Sequence, residues 1–169
     1  YEKIEPLFEG VDWVFHLAAQ SRIQPAIKNP IRTVRVNCEG TTNVLQCSRT
    51  HKVKKVIYSS TSACYGLKNE SPLNEDMAPD CLNAYSVTKV AAEEMCKMYT
   101  NLHDLSTVIF RYFNVYGERQ PTRGQYAPVV GLFIKQKNSG NPMTVVGDGL
   151  QTRDYTHVSD VVRANIMTA

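Results

Sequence analysis

Tyr85 and Lys89 stand four residues apart in the run Tyr85-Ser-Val-Thr-Lys89. On an α-helix that spacing puts the phenol and the ammonium on one face. A phenol is a poor base at its ordinary pKa of about 10. An ammonium at ~6 Å, acting through an effective dielectric of ~20, favours the phenolate by roughly 3 kcal/mol, or about 2 pKa units. Such a tyrosine is expected to take a proton from a hydroxyl group near neutral pH. Upstream, Ser59-Ser60-Thr61 closes an apolar run. A hydroxyl at the end of a strand could bond the same substrate oxygen and orient it. Each signal also has a plain reading: a surface tyrosine beside a surface lysine, and a polar turn that ends a strand.

The elements that must position these groups alternate. Residues 11–17 are short and mostly apolar, as a buried parallel strand is. Residues 31–50 follow at helical spacing, with Val34, Asn37, Thr41, Val44 and Ser48 on one side. Residues 55–60 read as a second strand, 66–82 as a polar loop, and 83–103 as a long helix. Its apolar stripe is Val87, Ala91, Met95, Met98 and Leu102. A third strand is expected at 106–111, a helix near 129–137, a short strand at 143–146 and a helix from 158 to 169. Strands separated by helices imply right-handed crossovers and a Rossmann-like α/β fold, a parallel sheet with flanking helices. Ligands then bind beyond the carboxyl ends of the strands. Residues 16–21, 59–63 and 112–114 are expected to face that crevice.

The chain has 169 residues, with 19 Lys and Arg against 16 Asp and Glu, a net charge of +3. So small a charge without a basic run argues against a nucleic-acid groove. No apolar run is long enough to span a membrane. The 5 cysteines are scattered and none forms a Cys-x-x-Cys pair, so no metal site is expected and a reducing, cytoplasmic setting is. The chain opens within a helical-looking segment (1–8) and closes inside another. It contains no Gly-x-Gly-x-x-Gly or Gly-x-x-Gly-x-x-Gly turn. Those ends suggest a piece of a longer chain.

Five ordered motifs sharpen the reading. They are His16-Leu-Ala-Ala-Gln20, Tyr58-Ser-Ser-Thr-Ser-Ala-Cys-Tyr-Gly66, Tyr85-Ser-Val-Thr-Lys89, Arg111-Tyr-Phe-Asn-Val-Tyr-Gly117 and Arg153-Asp-Tyr-Thr-His-Val158. In this order they resemble the extended short-chain dehydrogenase/reductase family, and within it the NAD-dependent nucleotide-sugar epimerase/dehydratase group, on the 4-epimerase branch. The resemblance implies NAD as cofactor and a nucleotide sugar, a UDP-hexose, as substrate. It implies Tyr85 as catalytic acid and base, Lys89 as its electrostatic and ribose-holding partner, and Thr61 as the catalytic hydroxyl. Leu17, Ala18, Ala19, Ser59 and Tyr112 would line the cofactor. Ser21 and Arg22 would touch the sugar, Asn114 and Arg153 the diphosphate, and Thr144, Val146 and Ala127 the nucleobase. A guanidinium suits such a clamp because its fork matches phosphate oxygens. Residues 1–112 would be a partial NAD-binding domain lacking its first strands, and 113–169 part of a substrate-binding region. The resemblance also implies a homodimer through the helices near 31–50 and 83–103.

The residues after Thr61 bear on the reaction. Dehydratases of this group show Thr-Asp-Glu and decarboxylases commonly Thr-Ser-Glu, whereas this chain has Thr61-Ser62-Ala63. Elimination needs an acid and a base beyond the tyrosine. Their absence favours oxidation and re-reduction at one carbon, C4 epimerisation. The alternatives are another nucleotide-sugar dehydratase, decarboxylase or reductase of the same family, and a non-catalytic binding module.

Overall fold

A computed structural model describes residues 1–121 and 128–169, which divide into two compact units. One is Tyr1–Tyr112 with Met167–Ala169, and the other is Phe113–Ile166. Ala127 lies outside the described residues.

The first unit is built on a parallel sheet in the order β1 (Trp13–His16), β2 (Lys55–Thr61), β3 (Thr107–Tyr112). Between β1 and β2 run α1 (Ile23–Lys28), α2 (Pro30–Val34), a π-helical turn (Arg35–Glu39) and α3 (Gly40–Thr50). Between β2 and β3 come a 3-10 turn (Ser62–Cys64) and α4 (Ala84–His103). Two right-handed crossovers stepping the same way put their helices on one face of the sheet. There α3 packs on β1, and α4 packs on β2 and β3. The Rossmann-like α/β architecture expected from the alternating pattern is present.

Register decides which side chains α4 meets. Tyr58 pairs with Ile109 and Ser60 with Arg111. Because side chains alternate along a strand, all four project to the α4 side. The core beneath that helix gathers Leu45, Val56, Tyr58, Cys96 and Leu105. The start of α4 is fixed by a capping box, in which Asn83 Oδ1 accepts the Ser86 N–H at 3.0 Å and Ser86 Oγ accepts the Asn83 N–H at 3.3 Å. Upstream, Gly66 has a φ of +61°, and a Cβ there would meet Asp80 O at 2.0 Å. Only glycine permits that close approach, which brings the end of the 66–82 loop back beside β2.

Several expectations are corrected. The apolar stripe of α4 is not its sheet-facing side: Val87, Met98 and Leu102 are exposed, while Ser86, Thr88, Lys89, Ala92, Glu93, Cys96 and Tyr99 are buried. The sheet beneath ends in hydroxyls and an arginine, so a polar helix face is the one that satisfies them. The 31–50 segment is interrupted by its π turn. Asn37, Thr41 and Ser48 of the expected face are buried, together with Thr33, Leu45 and Cys47, whereas Val34 is exposed. The opening segment forms only a 3-10 turn, Glu5–Phe8.

The second unit pairs β4 (Asn114–Tyr116) with β5 (Tyr155–His157) in parallel, with α5 (Val129–Asn138) between them in sequence and α6 (Val158–Thr168) directly after β5. Both strands are too short to stand out in the sequence. The strand expected at 143–146 does not form. Gln136 instead takes the polar groups of Thr144, donating to its Oγ1 at 2.7 Å and accepting its N–H at 3.2 Å. Val145 and Val146 are left exposed.

Candidate active site

Thr61 is the last residue of β2, and its Oγ1 accepts the Ala63 N–H at 3.1 Å as it caps the following turn. That acceptance leaves the hydroxyl proton free, and the Thr61 side chain lies near enough to the Tyr85 phenol to lower its pKa. Tyr85 lies in the first turn of α4, a helix of 20 residues. Unpaired N–H groups there favour negative charge by roughly 0.3–1 kcal/mol.

Lys89, one turn further, is 3% exposed. Its amine sits 4.1 Å from the centroid of the Tyr58 ring. Among the described residues Lys89 Nζ has no hydrogen-bond acceptor; the ring face is its partner. Burial lowers Lys89 to about 8, against an upward pull from Cys96 and Glu93.

The expected depression of the Tyr85 phenol by Lys89 is not observed. Burial raises Tyr85, and the Thr61 side chain pulls the other way. The ammonium is turned to the Tyr58 ring, and its own desolvation weakens its hold on charge. The protein alone thus leaves a neutral phenol with a hydroxyl donor in place.

The remaining groups frame this cluster. His16 Nε2 bonds Thr41 Oγ1 at 2.9 Å, and burial followed by Lys89 lowers the imidazole to about 4. Asn37, in the π turn, accepts the Gln20 N–H at 2.7 Å and donates to Gln20 O at 3.3 Å and Thr88 Oγ1 at 2.9 Å. It thereby ties the segment after β1 to α4. That segment carries Leu17, Ala18 and Ser21, all exposed, and the half-buried Ala19 and Arg22. Ser59 Oγ is buried without a hydrogen-bond partner among the described residues. An orphaned hydroxyl and an ammonium facing only a ring are groups that a polar ligand would satisfy, so these residues fit a cofactor bearing hydroxyls and amides. Tyr112 stacks on Phe110, with centroids 5.7 Å apart.

In the second unit, Thr144, Val146 and Arg153 come together. With Val129, Phe133 and Tyr155 they line a cleft of about 330 Å³. Arg153 Nη1 donates to Thr152 O at 2.7 Å. Asn114 is exposed at the start of β4, and its side chain bonds Asp154 O at 3.0 Å; it is not in that cleft lining.

Sequence reasoning missed Glu93. Its carboxylate is 1% exposed and accepts from Arg111 Nη2 at 2.8 Å and from Nε at 3.1 Å. Ser60 Oγ also donates to it. The available signal was a carboxylate at i+4 from Lys89, on the face that the apolar stripe had assigned to solvent.

Residues 2–169 match the NAD dependent epimerase/dehydratase family, and the chain belongs to it. NAD is the cofactor of that family. The chain is 40% identical over 161 residues to the UDP-N-acetyl-alpha-D-glucosaminuronate decarboxylase of Bacillus cytotoxicus, a match covering 92% of this chain and 49% of that one. It is 38% identical over 152 residues to the UDP-glucose 4-epimerase of Mycolicibacterium smegmatis, covering 89% and 48%. In structure it is similar to the UDP-glucose 4-epimerase of Thermotoga maritima, solved with UDP-glucose, with a TM-score of 0.94 at 34% identity over 99% of this chain and 55% of that one. The chain spans about half the length of the curated relatives it matches. Among the described residues no helix is long and apolar enough to cross a membrane.

Proposed function

We propose that this chain is the catalytic part of a longer NAD-dependent enzyme that inverts C4 of a UDP-hexose through a transient 4-keto sugar. The observation that carries the reading is the cluster in which Thr61, at the end of β2, stands near the Tyr85 phenol while Lys89 lies buried one turn along the same helix. NAD, when bound, supplies the acceptor and donor of hydride. Tyr85 takes the proton of the C4 hydroxyl, and Thr61 orients that oxygen. Lys89 holds positive charge beside the site and offers its free donors to a ribose. After the sugar turns, Tyr85 returns the proton to the opposite face. Asn114 and Arg153 grip the diphosphate, Thr144 and Val146 flank the base, and Ser21 and Arg22 contact the sugar. Leu17, Ala18, Ala19, Ser59 and Tyr112 line the cofactor.

Ala63 supports epimerisation over elimination, because it puts a methyl where elimination needs an acid–base carboxyl group beyond the tyrosine. The decarboxylase relative keeps the second reading alive. Incubating the complete polypeptide with UDP-glucose, UDP-N-acetylglucosamine and UDP-glucuronate separates the two. Epimerisation gives the galacto isomer with no change in mass, whereas loss of carbon dioxide or water from the sugar overturns the reading. We further propose a cytoplasmic homodimer, supported by exposed Val87, Met98 and Leu102 on α4 and Ile31 and Val34 on α2. Light scattering on a Met98→Glu, Leu102→Glu variant is expected to give monomers where the parent gives dimers.

A further inference from the structure

We infer that Glu93 is a positioning residue for the proposed proton-transfer cluster: it fastens the end of β2 to α4 through Ser60, fastens β3 to both through Arg111, and sets a negative charge one turn from Lys89. The inference rests on the epimerase reading for what the cluster does, and on the hydrogen bonds and helical spacing of Glu93 for what it does to that cluster.

The geometry follows from register. Ser60 and Arg111 are direct cross-strand partners on the α4 side of the sheet. Glu93 meets both at once, accepting from Ser60 Oγ and from the fork of Arg111 at 2.8–3.2 Å. Arg111 is further braced by donating to Tyr65 Oη at 3.2 Å. Ser60 is the residue before Thr61, so fixing its side chain fixes the strand end that presents Thr61 to Tyr85. A buried, forked carboxylate–guanidinium pair is costly to desolvate, and an apolar pair of the same volume often serves stability equally well. Glu93 satisfies Ser60 and Arg111, and it also stands one turn from a buried ammonium.

The groups facing Lys89 come from every element around it. They are His16 on β1, the Tyr58 ring on β2, and Tyr85, Glu93 and Cys96 on α4. His16 is neutral near pH 7. Burial pushes the Cys96 thiol up to about 12, so it too is neutral there. That leaves Glu93, one helical turn along and paired with Arg111, as the acidic group that favours the protonated amine against its own burial.

The test uses the complete polypeptide with Lys89 titrated by ¹³C NMR, a readout that needs no turnover. In Glu93→Gln the proton affinity of Lys89 is expected to fall about tenfold. The alkaline limb of kcat should move down by about one pH unit, with KM for the nucleotide sugar little changed. The double variant Glu93→Leu, Arg111→Met removes the pair together and serves if the single variant does not fold; because a positive charge leaves with the negative one, its Lys89 shift is expected in the same direction and smaller. Ser60→Ala keeps the charge and cuts the tether, so kcat should fall several-fold with the alkaline limb unmoved. Variants in which Lys89 titrates as in the parent, or in which activity falls only in step with melting temperature, would overturn the inference. A parent enzyme that titrates as described but epimerises nothing would instead refute the functional reading.

Discussion

The two units arrange their candidate residues in opposite ways. In the first, Lys89 and Glu93 are 3% and 1% exposed, and Glu93 is held by Ser60 and Arg111 from two strands of the sheet. In the second, Thr144, Val146 and Arg153 stand exposed around a cleft, and the hydrogen bonds of Thr144 and Arg153 are to neighbours close in sequence. The difference matches the two proposed tasks. A proton transfer needs fixed geometry and low dielectric before the substrate arrives. A grip on a nucleotide can be completed by the ligand itself, whose charge orders the side chains that meet it. Preorganisation in the first unit is expected to cost stability, and the second unit's residues are expected to be nearly free of that cost.

The sharpest contrast lies in turnover. Tyr85→Phe is expected to lower kcat by a factor of about 10³, since the proposed general acid and base is lost, with KM changed less than threefold. Equal losses in kcat and binding would remove the distinction between the units.

Stability against pH gives the next largest effect. His16 titrates at about 4 when folded and ordinarily near 6.5, so the unfolded chain binds more protons between those values. Stability present above pH 6.5 is therefore lost as pH falls towards 4, by up to roughly 3 kcal/mol. Lys89, at about 8 against an ordinary 10.5, acts in the same direction, and stability should rise as pH climbs from 8 to 10.5. Denaturant midpoints across this range check both slopes, and a flat profile would show that neither group carries a burial cost.

Lys89→Met tests that cost directly. Removing a buried ammonium and keeping its stem should raise the melting temperature by about 3–6 °C while activity is lost. A lower melting temperature would mean that the amine stabilises the fold. The smallest effect is expected in the cleft: Arg153→Ala should raise KM for the nucleotide sugar about tenfold, with kcat and melting temperature nearly unchanged.

The sequence made some of this legible. Tyr85, Lys89 and Thr61 announced themselves because helical spacing and the end of a strand are local properties. The parallel sheet followed from the alternation of elements. The inward face of α4 did not, since hydrophobic periodicity selects the apolar side. Here that side holds exposed Val87, Met98 and Leu102, and the sheet calls for a polar partner. Glu93 depends on Ser60 and Arg111 being opposite one another, a register no single segment encodes. The state of Tyr85 was misjudged because spacing fixes the face of Lys89 but not where its amine points. Residues 143–146 read as a strand by composition, while Gln136 takes Thr144 out of any ladder.

The central claim is that Tyr85, Thr61 and Lys89 serve a transient oxidation at one sugar carbon that is reversed in place. The most direct test supplies the complete polypeptide with NAD and UDP-glucose bearing deuterium at C4, in ordinary water. The account predicts UDP-galactose that retains the deuterium at C4, formed by the parent and not by Tyr85→Phe. Product in which the deuterium has been replaced by solvent hydrogen, or equal conversion by Tyr85→Phe, would contradict it.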